Sequence, residues 1–301
     1  MKTIYKLSFL SLMLLYSGMA TGQEKDTTYW KNKLRVGLNL NQAAFSGNWT
    51  AGGQNSIGFN SYLNFKADYA KGNKTWENEI DLLYGSINTE GQGVRKNNDR
   101  IFLDSKYGIG IGKKWKTFFA VNFLSQFAKG NRYENDANGI ERDTVISSFM
   151  APGYLTFSWG FEYVPVDYFK LRLSPLAPRF TFQINDEVAD NVDDNYGVDL
   201  GKKVRAEWFA FQLMADFDKD LAKNLNLKWR YVLFINYQEM SFDSWDHRLD
   251  LTLSAKIAKY FDVNFSLITV YDKDQDSSVQ FSESLGIGFV YTIQNYKEDK
   301  K

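Results

Sequence analysis

Apolar and polar side chains alternate along this chain over stretches longer than those of most soluble strands. In the segment 57–69, large apolar residues fall on one parity and mainly polar or charged residues fall on the other. The segment 223–238 repeats this pattern. Because successive side chains of a strand point to opposite faces, each such segment predicts a strand with one apolar and one polar face.

Twelve segments of this kind follow one another between residues 33 and 293. The connections on one side are all short: 70–75, 112–116, 164–167, 219–224 and 258–262. The connections on the other side are 46–54, 88–97, 129–146, 184–200, 239–242 and 273–277, and the first four of these are long and polar. An even strand number with short turns on one side predicts an all-β fold, a twelve-stranded antiparallel up-and-down transmembrane β-barrel.

The apolar face is expected to point outward, toward lipid. Twelve strands enclose more space than side chains usually fill in a small barrel with an apolar interior. The apolar face is also rich in aromatic residues near the short turns, as in the girdles of outer-membrane barrels. These predicted girdle residues are Trp76, Trp115, Tyr163, Phe169 and Phe261. The alternative that remains is a soluble periplasmic barrel or sandwich.

Charged residues on the polar face are then expected to line the lumen. They are Arg35, Lys66, Asp68, Glu77, Glu79, Asp81, Asp104, Lys106, Glu162, Lys170, Arg172, Lys228, Arg230, Arg248, Asp250 and Lys256. Both signs are present, so the set could line a channel or a substrate groove, or could close the lumen as a salt-bridged network. Buried charges need partners of opposite sign, which favours the network. Tyr62 is the one aromatic residue of its strand on the lumen parity.

The N-terminus has the three regions of a secretory signal peptide. Lys2 and Lys6 precede an apolar core at 7–16, and the small residues Ala20 and Gly22 follow it. The predicted domains are a signal peptide at 1–22, an N-terminal lead at 23–32, the outer-membrane barrel at 33–294 and a polar tail at 295–301.

Composition narrows the possible chemistry. Lys+Arg and Asp+Glu balance at 36 each, so no basic field argues for nucleic acid. The chain has no cysteine, which excludes disulfides, thiolate nucleophiles and a lipid-modified N-terminal cysteine. No cofactor and no metal site is predicted.

Five stretches carry a resemblance to a known family: "WTAGGQNSIGFN" (49–60), "KTWENEIDLLYG" (74–85), "NNDRIFLDSKYG" (97–108), "MAPGYLTFSWGFEYVP" (150–165) and "KLRLSPLAPRFTF" (170–182). The chain from about residue 49 to residue 296 resembles a Bacteroidota family of exported β-barrel proteins catalogued as a domain of unknown function. The resemblance implies an outer-membrane barrel and transfers no functional residue.

His247 is the only histidine, and it falls on the lipid-facing parity near the outer rim. Outer-membrane lipases with a Ser–His pair on the lipid face make a lipid-modifying enzyme an alternative. A hydroxyl nucleophile needs its base within hydrogen-bond reach. Ser241 shares the parity of His247 but lies six residues away, roughly 20 Å along an extended strand. An interfacial histidine without catalytic function is the preferred interpretation.

Two loop features allow further hypotheses. The acidic segment 185–199 is predicted to be a solvated loop, with loose binding of calcium or a bridge between lipopolysaccharide phosphates as the alternative.

Pro175 and Pro178 interrupt the seventh strand, because proline lacks the N–H group that donates to the neighbouring strand. A kink there could fold the loop 184–200 inward as a constriction.

The predicted function is that of an integral protein of the cell outer membrane, without enzymatic activity. It is expected to be a narrow channel, or a structural or binding barrel, with a charged and salt-bridged lumen. The alternative is a subunit of an outer-membrane secretion or assembly complex. The expected partners are outer-membrane lipids. No binding of nucleic acid is expected, and the sequence does not identify the partner proteins of such a complex.

Overall fold

The computed structural model describes residues 28–48, 50 and 53–297. The predicted signal peptide, and the outer parts of the predicted lead and tail, lie outside the described residues. The strands are β1 Trp30–Ala43, β2 Ser56–Lys71, β3 Lys74–Thr89, β4 Gly93–Gly110, β5 Trp115–Ser125, β6 Gly130–Asn135, β7 Glu141–Ser147, β8 Gly153–Val166, β9 Phe169–Leu176, β10 Arg179–Phe182, β11 Val204–Glu207, β12 Ala210–Ala222, β13 Leu225–Asn236, β14 Asp246–Ala258, β15 Phe261–Asp272 and β16 Asp276–Gln294.

Twelve of these strands form a closed antiparallel barrel, which confirms the predicted fold class. The order around the wall is β1, β2, β3, β4, β5, β8, β9, β12, β13, β14, β15 and β16, and β16 pairs with β1 to close it. β1 begins three residues earlier than the predicted strand, and β8 begins six residues later than the predicted sixth strand. No helix among the described residues is long and apolar enough to cross a membrane.

The two ends of the barrel differ, but the connection predicted to be long at 88–97 is a short turn at 90–92, because β3 runs to Thr89 and β4 begins at Gly93. Short turns join β2 to β3, β4 to β5, β8 to β9, β12 to β13 and β14 to β15. Trp30 at the start of β1 pairs with Tyr69 near the end of β2, so β1 begins at the short-turn end. The opposite end, the loop end, carries the β6–β7 hairpin, the helix α1 Asp186–Ala189 and two short 3₁₀ turns.

The predicted break in the seventh strand is present. β9 ends at Leu176, and β10 begins after Pro178. β10 stays beside β8, which also pairs with β9, and its other partner is β11, which directly precedes β12. Ala177 N–H still donates to Ala210 O (2.9 Å) across the break. The seventh and eighth wall strands therefore continue at the loop end as the short pair β10 and β11.

Side-chain exposure establishes which face points outward. Trp76 and Phe119 are 44% and 50% exposed, whereas Lys106 and Glu162 have no exposed surface. Arg230 of β13 hydrogen-bonds to Glu79 of β3 on the other side of the barrel. The apolar parity thus covers the outside of the wall and the charged parity fills the inside.

Tyr62, the aromatic exception on the lumen parity, packs against a glycine. It is paired in register with Gly37 on β1. A Cβ atom at Gly37 would lie 2.3 Å from two ring carbons of Tyr62, so the ring occupies the space that the glycine leaves. The guanidinium of Arg35 lies 5.7 Å from the ring centroid.

Candidate functional site

The candidate site is the barrel lumen, where two cavities hold most of the predicted charges. A cavity of about 260 Å³ near the short-turn end is lined by Lys66, Asp68, Glu77, Glu79, Asp104, Lys170, Arg172, Lys228 and Arg230, among others. A cavity of about 440 Å³ toward the loop end is lined by Asp81, Lys228, Arg230, Arg248 and Asp250, among others. Lys228 and Arg230 line both cavities, so they lie at the boundary between them.

Glu77 is the centre of the first ion-pair cluster, at the short-turn end. Its carboxylate lies 2.6 Å from Lys170 Nζ, 3.2 Å from Lys106 Nζ and 3.4 Å from Lys116 Nζ. These three lysines lie on β9, β4 and β5. Glu77 on β3 therefore links strands on one side of the barrel through ion pairs.

Glu162 extends the same cluster toward β8 and β9. It is fully buried against Lys106, and it lies 3.5 Å from Lys116 and 3.6 Å from Arg172. Arg172 also donates a 2.8 Å hydrogen bond to Asp104. Buried charges of both signs thus neutralise one another, as a low-dielectric interior requires.

Arg230 spans the lumen between the two cavities. Its Nη2 donates to Glu79 on β3 (2.8 Å), and its Nε donates to Asp216 on the neighbouring β12 (2.6 Å). Lys228 lies 3.5 Å from Glu79, and the Arg230 guanidinium lies 4.6 Å from the Phe102 ring centroid. We call Arg230, Glu79 and Asp216 the Arg230 layer.

A second bridge crosses the lumen above the Arg230 layer. Arg100 on β4 donates to Asp81 on β3 (2.5 Å) and to Asp250 on β14 (2.6 Å). Arg248 donates to the same Asp250 at 2.8 Å. Arg35 of β1 reaches over β16 to Asp262 of β15 at 3.1 Å. Among the predicted charges, Lys256 differs: it lies near the end of β14 and is exposed.

Arg179 organises the loop end of the lumen. It donates to Glu207 (2.8 Å) and to Asp246 (2.5 Å), and its guanidinium lies 3.6 Å from the Phe234 ring centroid. Tyr154 also lies beside it, with its ring centroid 5.3 Å from the guanidinium. We call Arg179 with these four contact residues the Arg179 cluster; it links the short strand β10 to β11, β14, β13 and β8.

The loop 184–200 lies at the mouth of the barrel and reaches the loop-end cavity through Tyr196. Tyr196 packs on Ala151 and Val188 and lines the loop-end cavity. Its hydroxyl donates to Ile146 O, and burial raises the pKa of Tyr196 to about 12. Asn195 and Tyr196 both adopt left-handed φ values, 46° and 56°, which is costly for residues other than glycine.

The asparagine side-chain amides of this loop form hydrogen bonds that stabilise it. Asn195 Oδ1 accepts from Gln183 and its Nδ2 donates to Val198 O (2.7 Å), while Asn191 Nδ2 donates to Val145 O. No group of three or more His, Cys, Asp or Glu side chains within the described ranges is placed to hold a metal ion.

The five predicted girdle residues lie on the outer face next to the short turns, and aromatic partners accompany them. Trp115 pairs in register with Tyr163, at 4.7 Å between ring centroids. The other contacts are Trp76 with Trp30, Phe169 with Trp229, and Phe261 with Phe289. The loop end carries its own exposed aromatic residues, Trp208, Phe209 and Phe242, which the sequence analysis did not predict.

His247 lies among tyrosines. Its Nδ1 is 2.7 Å from the Tyr231 hydroxyl, and its ring contacts Tyr231 and Tyr271. No serine hydroxyl hydrogen-bonds to His247 within the described part of the chain. These contacts do not assemble a nucleophile and base.

Several members of the network were missed by the sequence analysis: Arg100, Lys116, Arg179, Glu207, Asp216, Asp246 and Asp262. Arg100 shares the parity of Asp104, and Asp216 lies on the lumen parity of its own strand, so alternation alone could have found both. Arg179 could not be found in this way, because it follows the proline break where parity no longer carries over.

One family model of unknown function matches part of the chain. A family model described as "Protein of unknown function (DUF3078)" matches residues 40–131. Three of the five resembling stretches lie in this region, and the resemblance proposed for the rest of the chain, as well as a Bacteroidota source, stays a prediction. No curated protein matches the sequence.

Solved structures with a similar course of the chain are outer-membrane barrels. The translocator domain of the autotransporter NalP from Neisseria meningitidis is 10% identical, with a TM-score of 0.36 and coverage of 95% of both chains. An outer-membrane channel from Pseudomonas putida F1 is 10% identical, with a TM-score of 0.39 and coverage of 92% of this chain and 99% of that one. The NanC porin is 11% identical, with a TM-score of 0.35 and coverage of 86% and 98%. At these values the likeness adds nothing to the barrel topology described above.

Proposed function

We propose that the protein is an integral barrel of the cell outer membrane that acts as a narrow channel, closed at rest, and not as an enzyme. The observation that carries this proposal is the arrangement of the wall: its outside is apolar with aromatic residues near both ends, and its inside holds charges paired across the lumen. A closed sheet suits lipid because it leaves few unpaired backbone groups. Ionised groups suit a lumen because they are hidden from the hydrocarbon.

The Arg230 layer is the proposed barrier of the channel. It lies where the two cavities meet, and its ion pairs reach from β13 to β3 and β12. On this proposal a solute passes only when this layer moves, because Arg230 lines both cavities and is held to the wall by two ion pairs. The proposal therefore expects little or no conductance from the resting wild-type protein.

Conductance in planar bilayers tests the barrier. The variant Arg230→Ala/Asp216→Asn removes the guanidinium and the acid that it would leave unpaired, so we expect clear openings where the wild type is nearly silent. Arg132→Ala is the matched control, because Arg132 forms an exposed ion pair with Glu134 (3.8 Å) outside the lumen. Equal conductance in all three proteins would refute a barrier at the Arg230 layer.

Cysteine labelling tests the membrane orientation separately. The native chain has no cysteine, so each introduced thiol is unique. In vesicles, Leu103→Cys on the outer face should react with a lipid-soluble maleimide and resist a water-soluble one, whereas Lys113→Cys in a short turn should react with the water-soluble reagent. Ready labelling of Leu103→Cys from water would contradict the lipid-facing assignment.

A second candidate is a subunit of an outer-membrane complex. The observation that favours it is an unpaired strand edge in the barrel wall, described next.

A further inference from the structure

The seam that closes the barrel is paired over only part of its length. β1 pairs with β16 from Lys33↔Gln294 to Leu40↔Ile287, whereas its other edge pairs with β2 to the end, at Ala43↔Ser56. β16 continues past Ile287 to Asp276 and is paired there with β15 alone. Among the described residues, none pairs with the β1-facing edge of β16 between 276 and 286.

This edge begins at a depth where unpaired backbone groups are unfavourable. Phe289 contacts Phe261 beside a short turn, so it marks the girdle on β16. Glu283 lies six residues further along the strand, roughly 15 Å above the girdle for a tilted strand and within an apolar band of about 25 Å. Hydrocarbon offers no hydrogen-bond partner, so open N–H and C=O groups at this depth need another strand.

The side chains on the outer face of residues 276–286 are unusually exposed. Val279, Phe281 and Leu285 are 66%, 71% and 66% exposed, more than the outward residues of most of the wall. Glu283 stands between Phe281 and Leu285 on this face, and it is exposed. Among the described residues it has no ion-pair partner. An ionisable group on a lipid-facing surface is costly unless it is paired, and it marks a site of interaction.

We propose that the open edge of β16, residues 276–286, receives an extended segment of a partner protein, which adds a strand and places a Lys or Arg opposite Glu283. The backbone edge selects an extended chain, because strand addition satisfies its hydrogen bonds. The charges select its chemistry: Asp276 and Glu283 are the only charged residues between 275 and 296. A second copy would bring two acidic edges together without a base, so a different, basic segment is the better complement.

Binding of synthetic peptides to the purified full chain tests this proposal. Two peptides of about ten residues, the length of a membrane-spanning strand, alternate valine and threonine and differ at one central position, Lys or Glu. We expect the lysine peptide to bind the wild type at least about tenfold more tightly. Glu283→Lys should reverse this preference, and Asp193→Lys, at an exposed acid of the mouth loop, should leave it unchanged.

Register provides a second readout that does not depend on charge. Phe281→Cys introduces the only thiol of the chain. With diamide added as the oxidant, a cysteine placed along the lysine peptide should form a disulfide with Phe281→Cys at one position and its nearest neighbours only, as a fixed strand register requires.

Three results would overturn the proposal. They are equal binding of both peptides, crosslinking without positional preference, and a peptide-free Phe281→Cys dimer, which would make the occupant a second copy. The experiment does not depend on the state of the lumen. A silent or a conducting barrel would leave the result of the peptide assay unchanged, so the two proposals fail independently.

Discussion

Removal of the Arg230 side-chain charge should destabilise the barrel more than its position in a water-accessible lumen suggests. The guanidinium holds two carboxylates at once, Glu79 at 2.8 Å and Asp216 at 2.6 Å, and all three side chains are largely buried. Breaking a buried ion pair from one side costs about 3–5 kcal/mol, because a charge is left without compensation. We therefore expect Arg230→Met to lower the free energy of unfolding by this amount.

The structure also predicts where the cost arises. In the variant, Glu79 keeps Lys228 at 3.5 Å and the Asn64 amide at 2.9 Å, whereas Asp216 loses the one ion pair that it forms among the described residues. Most of the penalty should thus come from Asp216. Adding Asp216→Asn to Arg230→Met should recover about 1–3 kcal/mol, since an uncharged amide is easier to bury.

Urea unfolding in phospholipid vesicles, followed by tryptophan fluorescence, measures these differences. Arg132→Met is the matched control, because Arg132 and Glu134 are both exposed at 3.8 Å and an exposed ion pair contributes at most about 1 kcal/mol. A loss below about 1 kcal/mol for Arg230→Met would refute the reasoning, since it would equal the control. A further loss on adding Asp216→Asn would refute the assignment of the cost to Asp216.

Two further predictions concern single contacts. Gly37→Ala should cost about 1–3 kcal/mol in the same assay, because the new methyl group displaces the Tyr62 ring; the cost should largely vanish in a Tyr62→Ala background, and simple additivity would contradict this. Lys273→Ala should raise the pKa of Asp243 from about 2 toward about 3.9, because the hydrogen bond from Lys273 holds it down, and an NMR titration of that carboxyl measures the shift. Since the folded-state pKa is the lower one, this contact stabilises the fold above about pH 4 and is lost as the pH falls through about 2; an unchanged Asp243 pKa would contradict the contact.

The alternation of apolar and polar residues was enough to predict most of the fold, because successive side chains of a strand point to opposite faces of the sheet. The rule places Glu79 and Arg230 inside the barrel without any knowledge of their partners. Strand number followed from counting these segments, and barrel closure followed from the hydrogen-bonding demands of lipid. These steps use only the local sequence, so they can be made without a structure.

The partners inside the lumen could not be predicted in the same way. Glu79 and Arg230 are 151 residues apart, and their contact depends on strand tilt and register around the whole wall. The Arg179 cluster depends on a change of inward parity across the proline break: the buried positions are even-numbered before it, as at Arg172, and odd-numbered after it, as at Arg179. Strict alternation does not describe such a change. The partial pairing of the seam could not be predicted either, because the sequence of β16 alternates without interruption and predicts one continuous strand.

The layout of the ion pairs explains why the seam between β1 and β16 is the place in the wall where pairing can be incomplete. The cross-lumen bridges join β3 and β4 to β13 and β14, so those strands are held by charges as well as by their ladders. β16 contributes no charged side chain to the lumen between Asp276 and its end, and its inward positions include Gly286 and Gly288. The Arg35–Asp262 ion pair and the hydrogen bond from Asn264 to Asn39 (3.2 Å) reach across it between β1 and β15. The seam can therefore remain open or receive a strand without disturbing the Arg230 layer, which is why the barrier and the docking edge can be tested as separate properties of one barrel.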